Sequence, residues 1–124
     1  MEDNKPKMWL FMAVVEEALV HDVLNGLLEL DVKGATIINT QGMGRTIAHE
    51  FPIFAGLMRE LSSANPYNKT IFAAVDDFEI PDKLQELLME IDIDFTQPNT
   101  GVMIMLPIVR ALGTNIDFTD HKCK

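Results

Sequence analysis

Four short apolar runs read as strands, and only two long segments carry the spacing of helices that could cover them. That imbalance constrains the fold more than any other feature. Residues 8–15 (MWLFMAVV) are eight consecutive apolar side chains. At that length they suit a strand buried on both faces, or one with an oligomer contact on one face. Residues 35–41 (ATIINTQ) are β-branched and predict a second strand, residues 69–75 (KTIFAAV) a third, and residues 102–109 (VMIMLPIV) a fourth. Pro107 has no amide donor, which assigns it to a sheet edge or a bulge.

Between these runs the period changes. Leu19, Val23 and Leu27 recur every four residues, as do Val20, Leu24 and Leu28, giving a wide apolar stripe. Glu16 and Glu17 favour the positive end of that helix, and Gly34 is expected to stop it and turn the chain. A second helix opens at Pro81-Asp82, with Leu84, Leu87, Leu88 and Ile91 on one face. Between residues 46 and 68, Phe51, Phe54, Leu57, Met58 and Leu61 are spaced at three and four, and Pro52 suits a first turn. This predicts a short amphipathic insertion helix from about residue 52 to 62, then a turn-rich exit at 62–68.

The order is β-α-β, an inserted helix, then β-α-β. It predicts an α+β fold, a ferredoxin-like βαββαβ sandwich with a four-stranded antiparallel sheet and two helices on one face. Trp9, Phe11, Phe72, Met103 and Met105 cannot all face the helices, because neighbours along a strand alternate sides. The second face needs a cover, and a further copy of the chain is the expected one.

The 124 residues amount to one domain, with a core over 7–110, the insertion at 46–68 and a tail at 111–124. The formal net charge is −9, from 19 acidic and 10 basic residues, which opposes binding to nucleic-acid phosphates. Cys123 stands alone, so no internal disulfide is expected, which fits a reducing compartment. Residues 1–7 lack the basic start and apolar run of a secretory signal, and no segment approaches the roughly 20 apolar residues of a membrane span. The expectation is a cytoplasmic protein that does not insert into membranes.

No Ser-His-Asp set, Walker loop or CxxC pair is present. The acids at 76–77 and 92–94 fall at element ends, where carboxylates cap helices and face water, so no catalytic residue is expected. His21, His49 and the His121/Cys123 pair are too scattered for a four-ligand structural metal site. Gly42-Met43-Gly44-Arg45 follows the second strand. Two glycines around one residue open backbone angles closed to other residues. The amides of such a turn can hold an anion, and Arg45 can add a forked contact. The plainer alternative is a strand-to-loop bend.

In this order the elements resemble the PII family of nitrogen-regulatory signalling proteins. The resemblance covers about residues 7–110. It rests on a first helix ending at residues 30–34 (LDVKG), the strand at 35–41, and the Gly42-Met43-Gly44-Arg45 turn, which is similar to the family's Gly-aromatic-Gly-Arg approach to its long mobile loop. Asn99-Thr100-Gly101 falls where the family has its glycine-rich phosphate loop. The resemblance implies a homotrimer with sheets facing inward and effector clefts between subunits, commonly for adenine nucleotides. It also implies a loop that docks on a membrane transporter or a metabolic enzyme. By this resemblance Thr36, Gly42, Gly44, Arg45, Thr100 and Gly101 would line the cleft, and residues 46–68 would meet the target. The chain also departs from the pattern. Val102-Met103 follow Gly101 where the family usually has a lysine, Arg110 is the only basic residue between Lys83 and Lys122, and the apolar 51–61 segment replaces the long hydrophilic loop. The same architecture implies two alternatives, a metal-handling trimer of the CutA kind and a ligand-independent interaction module.

Overall fold

A computed structural model of the chain describes residues 5–43, 69–98 and 100–113. The elements are β1 (Trp9–Val15), a 3-10 turn (Glu17–Leu19), α1 (Val20–Glu29), β2 (Thr36–Asn39), β3 (Lys69–Val75), α2 (Ile80–Met89) and β4 (Gly101–Pro107). They form one antiparallel sheet in the order β2-β3-β1-β4 with both helices against one face, the ferredoxin-like α+β arrangement that the sequence predicts. The insertion helix expected at 52–62 and the tail beyond residue 113 lie outside the described residues.

Alternation along β1 sorts its side chains. Phe11, Ala13 and Val15 are buried beneath the helices, as are Ile71, Ala73 and Val75 of the paired β3. Val23 and Leu27 of α1 and Ile80, Leu84 and Leu88 of α2 complete the core. Each of the larger of these side chains contributes roughly 1.5–3 kcal/mol by leaving water. Trp9, Met103 and Met105 pack against the same cluster. Of the five residues expected to divide between the faces, four therefore share the helix side, and Phe72 alone lies opposite.

The opposite face is apolar nonetheless, through other residues. Cross-strand partners share a face in an antiparallel pair, so the register gives its rows directly. One row is Ile38, Thr70, Val14 and Val102, the next is Thr36, Phe72, Met12 and Ile104, and the last is Ala74, Leu10 and Leu106. None of these residues belongs to the core cluster, and Ile38, Ile104 and Leu106 remain 43%, 39% and 45% exposed.

The helices stop without glycine. Gly34 does not end α1; Asp31 does, at a left-handed φ of 68°. The Asp31 amide donates to the Leu28 carbonyl at 2.9 Å and the Val32 amide to the Leu27 carbonyl at 2.8 Å. This pair of bonds is a Schellman motif, and its apolar residue, Val32, folds back onto the core. α2 ends identically, with Asp92 at φ 65° and the Ile93 amide donating to Leu88 at 3.0 Å. Aspartate is one of the few residues that accept this conformation. The helices meet at Gly26, where an added Cβ would stand 2.4 Å from Leu84 Cδ1. Pro107 closes an edge strand, where its missing donor costs no ladder bond.

Candidate functional site

Strand order decides which candidate residues can meet. Thr36 begins β2 and pairs with Phe72, so it sits halfway along the sheet on the edge opposite β4. Gly42 lies three residues beyond the other end of β2. Gly101 begins β4 opposite Val15, which itself pairs with Lys69 and through it with Asn39. The Gly42 and Thr100–Gly101 ends therefore share one end of the sheet but occupy opposite edges. At roughly 4.8 Å per strand, three intervals separate them by about 14 Å. A single copy does not bring them together. Gly44 and Arg45 lie outside the described residues.

The two described glycines have different reasons for being glycine. An added Cβ at Gly42 would meet nothing within 4 Å, so sterics alone do not demand glycine there. At Gly101 the added atom would lie 2.9 Å from the Val14 carbonyl oxygen, 2.9 Å from Phe95 Cε2 and 3.0 Å from Val15 Cγ1, at a φ of 155°. Packing by itself requires glycine at 101. Thr100, next to it, is half-buried.

An open cleft of about 710 Å³ lies at the β2–β3 edge, and of the four described candidates it includes only Thr36. It forms because β3 runs three residues past its last partner in β2. Leu30, Val32, Phe72 and Ala74 supply an apolar lining, and Asp31, Lys33, Asp76 and Asp77 a charged rim. Much of that rim charge is already matched. Lys33 stands 3.3 Å from Asp31, with both side chains exposed. Asp77 accepts from Lys83 Nζ at 2.6 Å and from the Glu79 amide at 2.9 Å. The Lys83 ammonium, then the Glu79 amide, hold the Asp77 carboxyl below its ordinary value, and the same contact raises Lys83.

Three of the four acids singled out in the sequence have local structural tasks. Asp77 braces the start of α2, Asp92 turns its end, and Asp94 closes the next turn by accepting from the Thr96 hydroxyl at 2.6 Å and the Thr96 amide at 2.9 Å. The Thr96 hydroxyl and amide, with help from Gln85, lower the Asp94 carboxyl. Among the described residues no group of three His, Cys, Asp or Glu side chains is placed to hold a metal ion; His49, His121 and Cys123 lie outside them. Among the same residues no helix is long and apolar enough to cross a membrane. Sequence reading missed Gln85, whose bonds to the Asp94 carboxylate and the Phe95 amide depend on tertiary contact and leave no motif.

No family model matches the sequence, and no curated protein sequence matches it. The solved structures do contain a match. A crystal structure of Arabidopsis thaliana PII bound to citrate aligns with a TM-score of 0.55 at 15% identity, over 86% of this chain and 82% of that one. The fold is PII-like. At that identity the likeness concerns the path of the backbone, and the PII-like fold leaves ligand, assembly and target to be argued from this chain's own residues.

Proposed function

We propose that the chain is a PII-like signalling protein of the cytoplasm, a homotrimer that binds a small effector between its copies and acts by contact rather than by catalysis. The observation that carries this reading is the division of the candidate residues between opposite sheet edges. Thr36 and Gly42 lie along the β2 edge, with Gly44 and Arg45 next to Gly42 in the sequence, while Thr100 and Gly101 lie at the start of β4. A head-to-tail ring, in which the β2 edge of one copy faces the β4 edge of the next, would complete the site at every junction and leave no edge over. The apolar sheet face would then turn inward. An adenine nucleotide is the candidate effector, and residues 46–68 are the candidate contact with a membrane transporter or a metabolic enzyme. The Arabidopsis protein's citrate adds a tricarboxylate to the ligands worth titrating.

Titration calorimetry of the full chain with ATP, ADP, AMP and citrate tests the effector claim. The reading expects saturable heat with at least one nucleotide, weakened about tenfold or more in Arg45→Ala by loss of a charge-assisted bond. Silence with every nucleotide would remove the effector claim. Equal binding by the Arg45 variant would move the site elsewhere.

A further inference from the structure

We propose that Gln85, Asp94 and Phe95 form a clamp that positions the Thr100–Gly101 turn, making them positioning residues for a ligand held there; the ligand half rests on the effector reading above. The Gln85 amide bridges the Asp94 carboxylate and the Phe95 backbone amide. Its Nε2 donates to Asp94 Oδ1 at 2.7 Å, and its Oε1 accepts from the Phe95 amide at 3.0 Å. Asp94 Oδ1 is itself tied to the Thr96 amide and hydroxyl, at 2.9 and 2.6 Å. The Gln97 amide closes the turn onto the Asp94 carbonyl at 3.1 Å. Upstream, the Schellman end of α2 fixes Ile93. These bonds hold the backbone at Phe95.

The Phe95 ring, the Val14 carbonyl and the Val15 side chain together fill the space into which a Gly101 side chain would project. The Phe95 ring and β1 thus pack against the same side of Gly101, so a shift of Phe95 changes the packing that seats the turn. The clamp bonds themselves are exposed or half-buried, away from the core. Losing them loosens the turn while the sheet and helices keep their burial. The carboxamide supplies both the donor for Asp94 and the acceptor for Phe95. Glutamate at 85 would set two carboxylates against each other.

The test uses the full chain with Gln85→Ala and Phe95→Leu. It reads amide-proton exchange at Thr100 and Gly101 without ligand, then calorimetric affinity for ATP, with the thermal midpoint as control. In both variants we expect exchange at 100–101 to rise about tenfold through local opening. ATP affinity should fall about tenfold, with little change in the midpoint of Gln85→Ala. Unchanged exchange at 100–101 would overturn the clamp. Faster exchange with unaltered ATP affinity would overturn its role in binding. If ATP fails to bind the unmodified chain, the effector reading falls, and the exchange comparison still decides whether the clamp positions the turn.

Discussion

Gly26 and Gly101 are fixed by what surrounds them. Alanine at 26 gains roughly 1 kcal/mol of helix propensity, but its methyl group meets the side chain of the fully buried Leu84, which must shift within the core. Overpacking of this kind costs about 1–3 kcal/mol, so Gly26→Ala should lower stability by about 1 kcal/mol net. Leu84→Ala alone should cost about 2–5 kcal/mol, and the double variant less than the sum, because each change makes room for the other. Urea midpoints of the four proteins measure this, and strict additivity would refute it. Asp94 makes a further prediction. Its carboxyl is held below the ordinary 3.8 in the folded chain. Its contribution is therefore complete above the ordinary carboxylate range and vanishes as pH falls through and below that range. Asp94→Asn keeps an acceptor for Thr96 but removes the charge, so its stability should decline less between pH 6 and pH 3. An equal decline in the two proteins would count against it. None of these three contacts was visible in the sequence. The Gly101 motif pointed to a ligand, whereas the need for glycine comes from Phe95 and β1.

The helices and strands were largely legible, since a period of two or four is a local property. The ends were less so. Gly34 looked like the stop for α1 because glycine most often fills that role, but the chain turns three residues earlier. The signal was present in a different form. Residues 27–32 (LLELDV) and 88–93 (LMEIDI) share one pattern, apolar residues on either side of an aspartate, and both adopt the same Schellman end. Because aspartate tolerates the left-handed conformation less well than glycine, Asp31→Gly and Asp92→Gly should each raise stability by about 0.5–1 kcal/mol. A loss in either variant, measured by chemical denaturation, would show that the aspartate side chain contributes more than its backbone strain costs. The β4 edge also followed from sequence, through Pro107 at its end.

At the scale of the whole molecule, the sequence implied an uncovered apolar face, but not which residues build it. Their identities depend on register, which is set by pairing between segments far apart in the chain. Leu10, Met12, Phe72, Ile104 and Leu106 form that face, while Trp9, Met103 and Met105 turned out to sit under the helices. The division of the candidate residues between two edges was equally hidden, since strand order is not a local property. Ile104→Glu places a charge on the face, in its middle row at the β4 edge, without touching the core, and should disperse the assembly while a folded monomer survives. The deciding measurement is the sedimentation-equilibrium mass of the full chain at micromolar concentration. Three times the 13.9 kDa chain mass is predicted for the native protein. A native protein that remains monomeric, with its apolar face open to water, would contradict both the trimer and the site assembled between copies.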